Sequence, residues 1–595
     1  MLNSYAGVKH LIIKNKIKEE NVVNIKRFQK SAALLLLLAM LLSISMACSK
    51  KTDGNTQDPT PTPAPVDSEK PSDEQLNVNE EELEPYEFTL YWPVVGVDIS
   101  HKWGDDDVSA YIKEKFNITM NLEAPQNNAE QELNLMLSTG DLPDSFVLGW
   151  SEDLYKLISL GKLVPIDEYL EKYGNYKSFM DPSTYNLAKV DGKSYCLLHW
   201  GTNRTQPTGN SAWMFNKNIY EQMGSPEIVT TDDLYNYLKS VKDANITIDG
   251  ASIVPLQLGE IGWGGIEMVL SSFGINYINY VYPENAPVSF FSNPNYDVPD
   301  NAALKLFMTH PKFEEAMVFL NKLWREGLIS KDYFTETHEQ VKEKLANGRT
   351  AVYTSSNVIT AIGFEALNAL KAKDPTNDYI WKEPPVANEI RVEDVKYNAS
   401  STLGYPMVVT TSAEKPERIV QLWDYLFSPE GSMIVYYGPP GTMYTEWDEN
   451  YYPYVTKMHS HLTDEERNQL GVYRWWYPGN AAYGGQSTIA INDRLPEDKK
   501  DWITEIQKNT CWPRAWDSTA YHMVFPDPKS EVGIKYISVQ DAIAKALPKI
   551  ITADSESQCI ELLNQAIENV YSLGFEEVEK SMTDIWKENL AKIKG

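Results

Sequence analysis

Residues 107–148 read DVSAYIKEKFNITMNLEAPQNNAEQELNLMLSTGDLPDSFVL, and this stretch decides the fold class. Val108, Tyr111, Ile112 and Phe116 recur at helical spacing, which predicts an amphipathic helix over 107–116. Ile118-Thr119-Met120-Asn121-Leu122 follows as a strand, 129–138 as a second helix, and Ser145-Phe146-Val147-Leu148 as another strand. Between the last two, Gly140 stops the helix, Asp141 and Pro143 shape the turn, and Asp144 leads into the strand. Working outward, Phe88–Trp92 supplies an earlier strand and Glu152–Leu160 a later helix. Strands separated by helices of this length predict an α/β protein with a parallel, doubly wound sheet, whose ligands sit at the carboxyl ends of the strands.

The N-terminal part has a different character. Lys26, Arg27 and Lys30 precede Ser31–Ala47, a run of mostly Ala and Leu, which ends in small residues before Cys48. A basic n-region, an apolar h-region and a small-residue cleavage site predict a secretory signal over 1–47. The apolar run is shorter than the roughly 20 residues a membrane-spanning helix needs. Its end resembles the lipobox of bacterial lipoproteins, although Ser45-Met46 stands where Leu followed by Ala or Ser is commoner. The resemblance implies that Cys48 carries acyl chains such as palmitate and becomes the mature N-terminus. An uncleaved anchor is the alternative, and it leaves the protein on the same side of the membrane. Met1–Glu20 is long for such a leader, so initiation at Val22 or Val23 is a second expectation. Residues 48–85 are Pro, Thr, Asp and Glu with hardly an apolar side chain. Such a segment cannot bury enough surface to offset its chain entropy, so a disordered tether is expected.

The remaining 86–595 suits two lobes of ordinary size. The chain carries a formal charge of −29, and removing residues 1–47, with seven basic and two acidic side chains, leaves −34. That acidity argues against nucleic acid or anionic lipid as a partner. Apart from Cys48, only Cys196, Cys511 and Cys559 remain, without zinc or CxxC spacing, and one bridge among them is left open. There is no GxSxG, P-loop or GxGxxG. His338-Glu339 lacks the second histidine of a zinc hydrolase, and Asp105-Asp106-Asp107 fits a solvated helix start better than a cation site. No cofactor or metal is expected.

Several stretches resemble extracellular solute-binding protein family 1. They are Leu137–Asp144, Val190-Asp191-Gly192-Lys193-Ser194-Tyr195, Ala212–Lys217, Leu323–Ile329 and Asn347–Val352, in the family's order. Lys415–Arg418, Ser428–Gly431 and Tyr437–Gly441 are similar to a signature of its larger lipoprotein members, linked to complex oligosaccharides. The likeness runs from about Phe88 to Gly441; Thr442–Gly595 matches only in general character.

The resemblance implies a type II, two-lobe periplasmic-binding-protein-like fold with a multi-strand hinge. Crossings are expected near Ser211–Asn216, Tyr353–Asn357 and Phe427–Gly431. The N-terminal lobe is then 86–210 plus 356–428, and the C-terminal lobe 217–352 plus 431–595. It also implies a monomeric, lipid-anchored subunit on the extracellular face of a bacterial cytoplasmic membrane. Such a subunit delivers its ligand unchanged to ABC permease transmembrane subunits, and is not an enzyme.

Aromatic residues make up 11% of the chain. Flat aromatic faces pack on the C–H faces of sugars while polar side chains bond hydroxyls, so an oligosaccharide is the expected ligand. The candidate ligand-binding residues are Trp92, Trp150, Trp200, Trp263, Ser355, Asn357, Tyr473, Arg474, Trp475 and Trp476. Trp92 and Trp150, at strand ends, suit the core equally well, and small residues such as Ser355 also suit a hinge. Long inserts at 276–301 and 442–526 predict a broad cleft. A surface-tethered polysaccharide-acting enzyme, or a binder of peptide or another solute, are the alternatives.

Overall fold

The computed structural model describes residues 83–93, 102–125, 128–149, 152–199, 201, 209–259, 264–286, 298–398, 403–472 and 477–594. All of them belong to the unit Glu81–Gly595. Following the chain, β1 (Tyr86–Tyr91), β2 (Ile118–Glu123), β3 (Ser145–Val147) and β4 (Cys196–His199) build a first sheet. A second sheet takes β5 (Ala212–Asn216), β6 (Val254–Leu258), β7 (Thr350–Ser355) and β8 (Tyr379–Lys382). The chain then returns to the first sheet with β9 (Tyr405–Val409). The strand orders are β2-β1-β3-β9-β4 and β8-β5-β7-β6.

β1 runs parallel to β2 and β3, whereas β9 is antiparallel to β3 and β4. In the second sheet β7 is parallel to β6, and β5 is antiparallel to β7 and β8. The sheets are therefore mixed where the sequence predicts parallel ones. The cause is topological. A strand arriving from the other sheet enters at the edge where its neighbours end, and so runs against them. Tyr405 opens β9 opposite His199, the last residue of β4, and Ala212 opens β5 opposite Ser355, the last of β7.

Local chemistry fixes these elements. Asp106 caps the helix Asp107–Phe116 by accepting the Ser109 N–H at 2.6 Å, and is itself buried, where the sequence suggested a solvated start. Gly140 ends the helix Ala129–Thr139 at φ 76°, a left-handed conformation that glycine adopts freely. Beyond it, the Asp144 carboxylate accepts the Thr89 N–H of β1 at 2.8 Å, and Thr410 donates to the Pro143 carbonyl at 2.7 Å. β3 is too short to pair Thr89, so the aspartate satisfies that donor. At Asp191-Gly192 both residues have positive φ, the geometry that lets a two-residue turn close on the Val190–Lys193 bridge.

The pairing departs from the expected lobe boundaries. Tyr379–Lys382 was expected in the first lobe, yet it pairs along β5 in the second sheet. Residues beyond 431 were expected in the second lobe. Instead, the helix Asp464–Leu470 packs on Asp107–Phe116, Gln469 donates to Asp107 at 3.0 Å, and the Tyr477 ring lies 6.0 Å from Trp103. The helix Ala481–Arg494 extends this layer by packing on Pro429–Tyr437, whose buried Met433, Tyr436 and Tyr437 need a cover. The chain rejoins the second sheet at Trp502–Ile506, where Ile506 enters a cluster with Met214, Leu345 and Tyr353. Among the described residues the chain thus leaves the first sheet after His199 and enters the second at Ala212, leaves the second after Lys382 and returns to the first at Tyr405, and comes back against the second through Ile506. On the second passage, Tyr397–Asn398 pairs in parallel with Ala515–Trp516.

Cys196, Cys511 and Cys559 are separate, buried free thiols, so none of the pairings left open is formed. No helix among the described residues is long and apolar enough to cross a membrane.

Candidate functional site

The strand directions bring the ends of β1, β3 and β4 and the start of β9 to one edge of the first sheet. The ends of β6 and β7 and the start of β5 lie together at one edge of the second. Open α/β sheets bind ligands at such carboxyl edges.

At the first edge stand Trp92, His199 and Tyr405. Trp92 follows β1 and its N–H donates to the Glu123 carbonyl at 2.7 Å. Its ring is buried and meets the His199 imidazole edge-on, with centroids 5.2 Å apart. Tyr405 is the opposite case, with 58% of its surface exposed. It escaped sequence analysis because an aromatic heading an apolar strand reads as core. The detectable signal was its position, the first residue of a strand that enters at the edge where its neighbours end.

At the second edge the backbone approaches closely. A Cβ on Gly259 would stand 2.5 Å from Ser355 Oγ, and one on Gly265 would stand 2.4 Å from the Gly259 nitrogen. Glycine suits these two positions, the second of which closes the sequence Gly262-Trp263-Gly264-Gly265. The Ser356 N–H donates to the Gly264 carbonyl at 3.1 Å, joining the head of the helix Gly264–Ser272 to the end of β7. Ser355 is buried, and its Oγ accepts the Asn357 N–H at 3.1 Å. Asn357 is exposed and bridges Asn210 through the backbone. One turn into that helix, burial raises the Glu267 carboxyl to about 7.

The passages between sheets are tied beside this edge. The Ser211 N–H meets Cys511 Sγ at 3.3 Å, Gln507 donates to Asn210 at 2.7 Å, and Ser211 Oγ donates to the Ser356 carbonyl at 3.1 Å. Trp150, Trp200, Trp263, Tyr473, Arg474, Trp475 and Trp476 lie outside the described residues. Among the described residues no group of three or more His, Cys, Asp or Glu side chains is arranged to hold a metal.

The family described as bacterial extracellular solute-binding protein matches residues 105–433. Lipoprotein LipO of Bacillus subtilis is 23% identical over 397 residues, covering 64% of this chain and 72% of LipO. The polygalacturonan/rhamnogalacturonan-binding protein YtcQ of the same organism is 21% identical over 57% of this chain, which spans 63% of YtcQ. Among solved structures, the ABC-transporter substrate-binding protein FusA of Streptococcus pneumoniae, in complex with kestose, superposes with a TM-score of 0.61 at 16% identity. That superposition covers 85% of this chain and 99% of FusA. At this identity the likeness establishes a two-lobe fold.

Proposed function

This chain belongs to the bacterial extracellular solute-binding proteins, and from that premise we propose that it captures an oligosaccharide between the carboxyl edges of its two sheets and delivers it unchanged to an ABC permease. The observation that carries the sugar reading is Tyr405, a tyrosine 58% exposed at the strand edge where ligands of α/β sheets bind. The kestose complex of FusA and the polygalacturonan/rhamnogalacturonan binding of YtcQ support it by analogy. In this reading Cys48 carries the lipid, 48–85 is the tether, and the monomer works on the extracellular face of the cytoplasmic membrane. Trp150 and Trp200 adjoin the ends of β3 and β4 in sequence, and Trp263 adjoins Gly264. With Asn357 and Tyr473–Trp476, they are proposed to complete the sugar contacts. Trp92 and Ser355 act by shaping the edge.

A thermal-shift screen of residues 49–595 against plant and microbial oligosaccharides tests the proposal. A ligand bound by the native state alone raises the melting temperature as its concentration passes its dissociation constant. The expected result is a concentration-dependent rise with the sugar recovered intact. Cleaved sugar would instead favour the tethered enzyme, and a response to peptides alone would favour a different solute.

A further inference from the structure

Residues 442–455 form a turn that presents aromatic rings to solvent. Trp447 is 41% exposed and Tyr454 is 53% exposed. The Trp447 and Tyr451 rings lie nearly parallel, 16° apart with centroids at 6.4 Å, and Tyr444 meets Trp447 edge-on at 6.2 Å.

The turn is held from several sides. Asp448 accepts the N–H groups of Asn450 and Tyr452 at 2.8 and 3.0 Å. The Tyr454 N–H donates to the Glu446 carbonyl at 2.9 Å, and Trp447 bridges Pro453. Tyr451 is kept at φ 60°, a conformation unfavourable for a bulky side chain, while the Tyr483 hydroxyl donates to its carbonyl. Arg494 pairs with Asp448 and sets its guanidinium 4.8 Å over the Tyr454 ring. Tyr444, Tyr451 and Tyr452 anchor the turn in a cluster with Met433, Tyr436 and Tyr483, whereas Trp447 lies outside that cluster.

We propose that Trp447 and Tyr454 form a second carbohydrate-binding surface, separate in sequence from the strand edges, which takes neutral sugar residues of a long glycan. Rigid, solvent-facing rings stack on the C–H faces of pyranoses without an ordering penalty. Glu446, Asp448 and Glu449 against Arg494 leave the turn net negative, which repels uronic acids and offers acceptors to neutral hydroxyls. A second contact on the same chain raises the effective concentration of the glycan at the strand-edge site. The choice of ligand class rests on the sugar reading above; the surface itself does not.

Affinity electrophoresis of the full chain in native gels containing galactomannan, xyloglucan or arabinoxylan tests this, with Trp447→Ala and Tyr405→Ala beside wild type. At least one polymer is expected to retard wild type and to bind Trp447→Ala about ten-fold more weakly. The thermal shift of Trp447→Ala with short oligosaccharides should remain at the wild-type value. Trp447→Tyr, which keeps a stacking face, should recover most of the retardation and so exclude a mere folding defect. Equal retardation of wild type and Trp447→Ala would overturn the surface, as would retardation of neither by any neutral polymer. A short-oligosaccharide shift lost in Tyr405→Ala alone concerns the strand-edge site and leaves the surface standing.

Discussion

The indole of Trp92 meets the imidazole of His199 edge-on, with ring centroids 5.2 Å apart and planes at 85°. His199 in turn lies opposite Tyr405 in the β4–β9 register. One edge of the first sheet thus carries a buried ring after β1, a buried imidazole at the end of β4 and, on β9 beside it, an exposed phenol. Packing belongs to the first two and availability to the third.

Replacement of Trp92 and of Tyr405 should therefore act on different observables. Trp92→Ala removes a buried aromatic and is expected to destabilise by about 3 kcal/mol. Tyr405→Ala should change stability by about 0.5 kcal/mol or less. It should also weaken sugar binding about ten-fold, the equivalent of ~1.4 kcal/mol. Thermal denaturation and titration calorimetry on the two variants separate the effects.

Gly265 and Gly149 make a second contrast. An added Cβ at Gly265 meets the Gly259 nitrogen at 2.4 Å and Leu258 Cβ at 2.6 Å, while one at Gly149 meets nothing within 4 Å. Gly265→Ala is expected to lose about 1–3 kcal/mol in urea denaturation, the usual effect of overpacking. Gly149→Ala should match wild type.

The His310 imidazole accepts the Lys312 N–H on Nδ1 at 3.2 Å, and burial lowers its pKa from 6.5 to about 4. A base whose folded pKa lies below its unfolded value contributes its full stability above the unfolded pKa. That contribution is lost as pH falls through 6.5 toward 4. His459 and His522, both lowered to about 3 mainly by burial, act with the same sign. Glu267 opposes them: its carboxyl is raised from 4.5 to about 7, so acidification through that window relieves the burial of its charge. Three histidines outweigh one glutamate, and urea midpoints should fall between pH 7 and 5. The fall should be shallower in His310→Gln and steeper in Glu267→Gln.

Arg418 fastens the start of the folded unit. Its guanidinium donates to the carbonyls of Glu84 and Phe116, and the neighbouring Lys415 pairs with the Glu84 carboxylate at 2.9 Å. The Lys415–Glu84 pair is exposed, so Lys415→Ala should be nearly silent. Arg418→Ala should speed limited proteolysis near residue 84, followed by mass spectrometry of the new N-terminus.

The local pattern was legible to the residue in places. The helix over 107–116 and the turn from Gly140 to Asp144 follow from periodicity and capping chemistry, which lie wholly within those residues. Strand pairing does not, because it joins distant segments. Nothing near Tyr379 in the sequence says that its partner is Asn216, or that β9 enters the first sheet between β3 and β4. The same distinction governs the site. The exposure of Tyr405 and the burial of Trp92 are set by neighbours brought from elsewhere in the chain, whereas the aromatic enrichment that suggested a sugar is a property of composition.

The central claim is that a sugar is held between the carboxyl edges of the two sheets. Hydrogen exchange measured with and without a sugar that raises the melting temperature tests it most directly. The account predicts slowed exchange in the peptides containing Trp92, Tyr405, Gly259–Gly265 and Ser355–Asn357, in both sheets at once. Protection confined to one sheet, or found only away from these strand ends, would contradict it.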